Sequence, residues 1–242
     1  MSGAAAEPRV EETFYGKLRA YLRAYPAWQF APPQIAVPGY LKRFGSEHAG
    51  YYLNESLVSA NAIVYSLGIG KDISFDLSLI ARFGVPIEAF DPTPGVRDWL
   101  ARQSLPPQFQ FHSVGIAAHD GAETFYLPPR PDWVSHSVVP ARQYASASVR
   151  LRVTRLSTAM RLLGHRQIDV LKMDIEGAEY AVIDEIVREQ IPVTQLLVEF
   201  HHRLSRIGTK KTRRALALLA SCGMQISYVC PRKEVFTLVK AP

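Results

Sequence analysis

The chain reads as an α/β protein built on a doubly wound, mostly parallel sheet, and three observations predict it. From Ala62 onward, short apolar runs alternate with segments of helical spacing, the pattern of successive βα units. The stretch Ile168–Ile183, IDVLKMDIEGAEYAVI, opens as an apolar run broken by Asp169 and Lys172, as a strand buried on both faces does. It then passes into helical spacing at Ala178, Ala181, Val182 and Ile186, leaving Asp174 and Glu176 at the tip of a strand-turn-helix unit. Finally, a turn with two glycines, Gly68 and Gly70, follows the first strand-like run, and an acid, Asp91, ends the second.

Taken in order, residues 1–60 stand apart. Leu18, Tyr21, Leu22 and Tyr25 space as a helix, after which Pro26, Pro32, Pro33 and Pro38 forbid regular structure, so a helical cap and arm is expected ahead of a main domain at 61–242. Strand-like Ala62–Leu67 precedes a helix carrying Phe75, Leu77, Leu79, Ile80 and Phe83. Ile87–Phe90 precedes a helix around Val96–Gln103, and Phe109–Gly115 is the third strand. A polar insertion follows, with β segments expected at Thr124–Leu127, Ser137–Val139 and Arg150–Thr154, then a short helix at Leu156–Leu163. Ile168–Met173 and Thr194–Phe200 are the fourth and fifth strands, and Lys210–Ser221 is a helix. Met224–Cys230 and Val235–Val239 form a closing hairpin around Pro231–Glu234 that adds an antiparallel edge, for seven strands in the sheet.

Composition narrows the function classes. A chain of 242 residues, 48% of them hydrophobic, suits one large domain with a core, or a domain with an appendage. The opening MSGAAAEPRVEETF has acids where a signal peptide needs an apolar core, and no apolar stretch approaches the roughly 20 residues of a bilayer span, so a soluble protein without a membrane partner is expected. Cys222 and Cys230 are too few for a disulfide scaffold or a cysteine-rich zinc site, which points to a cytoplasmic address. The net charge of +6 is concentrated in Arg150–Arg155 and Lys210–Arg214, read as a solvated helix face or, alternatively, as contacts to a polyanion.

Ligands of open parallel sheets bind outside the carboxyl ends of the strands, which is where the acids of this chain cluster. The first turn, Tyr65-Ser66-Leu67-Gly68-Ile69-Gly70-Lys71-Asp72, offers Ser66, Gly68 and Gly70 as candidate cofactor contacts, with Asp174 beside them and Asp91 placed to accept hydrogen bonds from a ribose diol. A dinucleotide site would want a third glycine at position 73, where the chain has Ile73. A nucleoside cofactor without phosphates, S-adenosylmethionine, therefore fits better. The bland readings are a plain tight turn for the glycines and a helix cap for Asp91, which precedes Pro92.

With VYSLGIG ending strand one, EAFDPTP ending strand two, VLKMDIEGAE on strand four and LLVEFHHR on strand five, the chain resembles the FkbM-type methyltransferases of the class I, adenosylmethionine-dependent, Rossmann-like fold. The likeness covers about residues 62–205, and LKMDIEGAE is its most specific part. One departure is the first loop: many relatives carry a GANxG-like sequence, whereas here it is Gly68-Ile69-Gly70-Lys71-Asp72-Ile73. The resemblance implies that Gly68 and Gly70 line the cofactor, that Asp91 holds its ribose, and that the activity is O-methylation of a hydroxyl, commonly on a sugar or a secondary metabolite.

Methyl transfer from a sulfonium to oxygen is an in-line displacement in which positioning dominates, with a base or a metal helping to deprotonate the alcohol. Asp174, Glu199, His201 and His202 are the catalytic candidates. Strand alternation points Glu199 and His201 one way and His202 the other, leaving either histidine open as base. Asp174, Glu176 and Glu199 are the candidate ligands for Mg²⁺ or Mn²⁺. The structural alternatives are a cap for Glu176, backbone bracing for Asp174 and ordinary loop histidines. Lys172 is expected to pair with a carboxylate and stays outside the catalytic set. Ser135-His136-Ser137, preceded by Trp133, reads first as a polar surface loop and second as a cofactor or substrate contact.

A small-molecule or glycan acceptor is the leading expectation, with homo-oligomerisation left open. A nucleic-acid methyltransferase is the second reading, favoured by charge but opposed by the Met-Asp-Ile-Glu end of strand four and the absence of a Pro-Cys nucleophile. A non-catalytic cofactor-binding module is the third, to be favoured if Asp174, Glu176, Glu199 and His201 diverge in space. Residues 1–60 and the insertion 116–150 are expected to cover the pocket and choose the acceptor.

Overall fold

The computed structural model describes residues 41–128, 136–140 and 147–241; the helix expected around residues 18–25 lies outside them. A hairpin of β1 (Leu41–Phe44) and β2 (Tyr51–Asn54) leads through a short 3-10 turn to β3 (Val64–Leu67), α1 (Ser74–Phe83), β4 (Ile87–Phe90), α2 (Pro94–Leu100) and β5 (Phe109–His112). β6 (Gly115–Ile116), β7 (Gly121–Tyr126) and β8 (Ser148–Thr154) follow, then α3 (Leu156–Leu163), β9 (Ile168–Met173), α4 (Glu179–Arg188), β10 (Val193–Glu199), α5 (Thr209–Ser221), β11 (Met224–Val229) and β12 (Val235–Lys240).

Seven strands form one mixed sheet in the order β11-β12-β10-β9-β3-β4-β5. β3, β4, β5, β9 and β10 are parallel, and β12 runs antiparallel to both β10 and β11. The antiparallel strand therefore lies one place in from the edge, because the closing hairpin inserts its second strand beside β10. Chain order runs outward from β3 in both directions, to β4 and β5 on one side and to β9 and β10 on the other, so the switch point is between β3 and β9.

Register turns this topology into a site. Leu67 is level with Phe90 and with Met173, and Met173 is level with Val198. The residues that follow, Gly68, Asp91, Asp174 and Glu199, consequently form one row across the sheet edge. The row is tied by backbone bonds from Gly68 N to Phe90 O (2.8 Å), Asp174 N to Leu67 O (3.0 Å) and Asp91 N to His112 O (3.2 Å). Beneath it the strands are solidly apolar: Val64, Leu67, Ile87, Val170, Leu171, Met173, Leu196, Leu197 and Val198 are all but sealed from solvent.

Residues 41–60, read from the prolines as part of an irregular arm, carry the β1–β2 hairpin, and it is built into the core. Asn54 N donates to Gln195 Oε1 (3.0 Å) and Gln195 Nε2 returns a bond to Asn54 O (3.1 Å), while Thr237 Oγ1 donates to Tyr52 O (2.6 Å). At the other end Ser46 Oγ donates to Asp72 Oδ2 (2.7 Å) and Ser46 N to Ser74 Oγ (2.7 Å), pinning the hairpin turn to the start of α1.

The insertion forms a small sheet of its own, β6-β8-β7, around Ala117, Phe125, Leu151 and Val153. Arg150 and Arg152 alternate with Leu151 and Val153 along β8, so this basic run is a strand face rather than a helix face. Arg155 departs from it and pairs with Glu185 and Glu189. The buried Glu185 in turn caps α3, accepting from Leu156 N (3.2 Å), Ser157 N (3.1 Å) and Ser157 Oγ (2.6 Å). Among the described residues no helix is long and apolar enough to cross a membrane.

Candidate active site

At the switch point the strand ends open into a cleft of about 980 Å³, its mouth included. Its lining includes Tyr51 from the hairpin, Gly68 to Asp72 from the first loop, Asp76 from α1, Asp91 to Thr93 after β4, His136 from the insertion, and Lys172, Asp174 and Glu176 around the end of β9. Five carboxylates (Asp72, Asp76, Asp91, Asp174, Glu176) face two lysines (Lys71, Lys172) in this cleft, within a chain whose net charge is +6. Carboxylates thus outnumber ammonium groups along the walls.

The first loop is held from both sides. Gly70 N donates to Asp91 Oδ2 (3.0 Å) and Thr93 N to Asp91 Oδ1 (2.8 Å), so the buried Asp91 carboxylate is fixed with lone pairs to spare on each oxygen. Gly68 has φ +73°, and a Cβ there would collide with the Asp174 carbonyl oxygen. The glycine thus lets the first loop lie against the β9 turn as well as turn tightly. Lys172 Nζ donates to Gly68 O and lies 5.6 Å from the centre of the Tyr51 ring, bracing the same seam from below. Ser66, expected to touch a cofactor, stays fully buried within β3 and does not line the cleft, since the loop begins two residues later.

Asp76 is sunk in the first turn of α1, and its Oδ1 has no hydrogen-bond partner. Burial pushes its carboxyl up to about 6 despite the opposing charge of Lys172. It is a buried acceptor facing the cleft beside the first loop.

The β9 turn and the end of β10 make the second half of the site. Glu176 sits at φ +48° and Gly177 at +106°, a left-handed pair that turns the chain into α4. Ser137 Oγ supports the turn by donating to Glu176 O (2.6 Å), and a Cβ at Gly177 would press on Val139 at 2.7 Å. Ser137 is fully buried and His136 lines the cleft, so this part of the insertion is an inner wall rather than a polar surface loop; Trp133 and Ser135 lie outside the described residues.

His201 is drawn over this turn. Its backbone N donates to Glu179 Oε1 (2.8 Å), its Nδ1 lies 3.4 Å from the same oxygen, and its Nε2 lies 3.3 Å from Glu176 Oε2 and 3.6 Å from Asp174 Oδ1. Burial works against a charged ring, but Glu179, then Glu176 and Asp174, outweigh it and hold His201 at about 10. A ring already protonated at neutral pH is the opposite of a general base. His202 is not brought to the site: it is buried with Nδ1 3.2 Å from Thr212 Oγ1, and burial, reinforced by Arg203 and His201, pulls it down to about 4. Neither histidine fits the base role expected of it.

Glu199 ends β10 at the far end of the row, half-buried, and burial and then the Asp174 carboxylate push it up to about 7. Asp174, Glu176 and His201 offer ligand atoms within 4.8 Å of one another, a group that excludes Glu199. Glu199 still belongs to the strand, whereas His201 lies two residues beyond and folds over the turn, so the imidazole rather than Glu199 joins Asp174 and Glu176. Tyr51 and Glu179 complete the site without having been foreseen. Tyr51 Oη donates to Asp174 Oδ2 (3.5 Å), and Glu179, fully buried, also accepts from Gly177 N (2.8 Å).

Comparison with known proteins agrees with this geometry. Residues 53–226 match the Methyltransferase FkbM domain. The chain is also 29% identical over 141 residues to the probable methyltransferase-like protein 24 of Homo sapiens and, to the same degree, to that of Rattus norvegicus, each match covering 57% of this chain. It spans about a third of those relatives' length, 32% in each. The family match takes in the end of β2, the first loop, the acid row and the β9 turn together, and the chain belongs to the FkbM methyltransferase family.

Proposed function

We propose that the chain is an S-adenosylmethionine-dependent O-methyltransferase acting on a hydroxyl of a sugar, glycan or secondary metabolite, in the cytoplasm, from a doubly wound domain. The observation that carries this reading is an acid-lined cleft at the switch point of a basic protein. It suits a ligand bearing a sulfonium and an ammonium and disfavours one bearing phosphates. The cofactor supplies an electrophilic methyl group. Asp91 would accept from the ribose hydroxyls, the Gly68–Asp72 loop would follow the cofactor backbone, and Asp76 would meet its ammonium. The acid row also argues against a phosphate-rich acceptor, and the convergence of Asp174, Glu176 and His201 argues against a merely binding module.

Asp174 faces the cleft and is the group placed to receive the acceptor's proton. As the acceptor oxygen bonds to the methyl carbon, the carbon–sulfur bond breaks, the sulfonium leaves as a neutral thioether, and the hydroxyl proton passes to the carboxylate. Tyr51 and His201 hold that carboxylate from two sides.

Calorimetric titration with adenosylmethionine, with and without Mg²⁺, tests the cofactor. Binding is expected without metal, and no heat in either titration removes the assignment. In a methyl-transfer assay with an accepted hydroxyl, Asp174→Asn should lower turnover by about 10²–10⁴-fold, the usual range for a lost general base.

A further inference from the structure

Asp174, Glu176 and His201 come from two loops that the parallel pairing of β9 and β10 sets side by side. Cis ligands of an octahedral cation, each about 2.1 Å from it, stand about 3 Å apart. His201 Nε2 is already 3.3 Å from Glu176 Oε2 and 3.6 Å from Asp174 Oδ1, so small side-chain rotations close the set. The imidazole is also aimed. Glu179, fully buried, accepts from the His201 backbone N–H and lies 3.4 Å from Nδ1, which leaves Nε2 directed at the two carboxylates. That is the carboxylate–histidine–metal arrangement in which an outer carboxylate fixes the tautomer and orientation of a ligating ring. Asp174 and Glu176 line the cleft, so open coordination positions would face an acceptor.

We propose that Asp174, Glu176 and His201 bind one divalent cation of the Mn²⁺ or Mg²⁺ class, oriented by Glu179, with its remaining positions open to the acceptor hydroxyl. Two carboxylate oxygens and one imidazole suit these ions. The cation displaces the ring proton from Nε2 to solvent, as metal binding to an imidazole does, and it would polarise the hydroxyl, whose proton goes to the Asp174 oxygen that does not bind the cation. This deepens the methyltransferase reading and rests on it for the role of the ion, though not for its binding.

The test is Mn²⁺ titration of the full chain without cofactor, followed by electron paramagnetic resonance. One site per chain is expected, with a ¹⁴N coupling in the spin-echo modulation that disappears in His201→Gln. Glu176→Gln should weaken Mn²⁺ at least tenfold, and Glu179→Gln by about 10–100-fold, the usual effect of losing an orienting carboxylate. Absence of nitrogen coupling, or equal Mn²⁺ binding by wild type and by folded Glu176→Gln and His201→Gln, overturns the site. Adenosylmethionine titration of the same samples separates the two ideas: retained cofactor binding with no Mn²⁺ site sinks the metal alone, and an Mn²⁺ site without cofactor binding sinks the methyltransferase reading alone.

Discussion

Asp76 stands under two opposed demands. Its carboxyl is raised from 3.8 to about 6 by burial, which corresponds to about 3 kcal/mol against the folded state once the group ionises at neutral pH. Because the folded value is the raised one, the stabilising contribution is present below pH 3.8 and is lost as pH rises through about 6. Asp76→Asn should therefore raise the melting temperature of the cofactor-free protein at pH 7, leave it nearly unchanged at pH 4, and weaken adenosylmethionine binding. A melting temperature that rises equally at both pH values would refute the argument. Residues of this kind were legible only where they touch a strand end: Asp91, Asp174 and Glu176 declare themselves as acids closing apolar runs. Glu179 sits in the same EGAE segment but looks like an ordinary first-turn acid, and its role emerges only when His201, 22 positions later, lands on it. Strand alternation does not reach the two histidines, which lie beyond the end of β10, and the opposite shifts of their rings come from neighbours on other elements, which no local pattern records.

At the level of elements, β4, α3 and β9 match the spans expected from the sequence, because each is a clean period-2, period-3.6 or wholly apolar run between breakers. The β1–β2 hairpin escaped notice because its strands have four residues each and follow a proline-rich stretch, and its stability comes from partners far along the chain. Gln195, buried in β10, supplies two of those bonds through Asn54. Gln195→Ala removes both and leaves a buried donor and acceptor unpaired, a loss of about 2–4 kcal/mol. Hydrogen exchange should show faster exchange confined to residues 41–54 and their contacts, with β3 and β9 unchanged. Exchange as slow as in the wild type would mean that the hairpin is held by its apolar side chains alone. Tyr51 rides on this hairpin, so loosening it should also loosen the hydroxyl bonded to Asp174.

For the molecule as a whole, charge is segregated: positive residues dominate the count, and carboxylates dominate the cleft. A cationic ligand that joins the first loop, the β4 end, α1 and the β9 turn stabilises only the assembled state. Adenosylmethionine at 100 times its Kd contributes about 2.7 kcal/mol, and a domain of this size gains about 2–4 °C per kcal/mol, so melting should shift by about 5–10 °C in one cooperative step. An unchanged melting curve at saturating concentration would mean that these segments do not share a ligand. The mostly parallel seven-stranded sheet was readable as alternation of βα units, whereas the inset position of β12 was not, since a hairpin sequence does not say which of its strands meets the older sheet.

That inset strand bears on how the site is assembled. β10 gains its second neighbour only when residues 235–240 pair with it, and Phe200, at the threshold of the His201 loop, has its N–H bonded to Glu234 O at 2.8 Å. Until that pairing forms, the His201 loop is held by Glu179 but lacks the backbone bond at its start. Assembly of this half of the site is therefore tied to the seating of β12 beside β10 and not to the making of β9 and β10 alone.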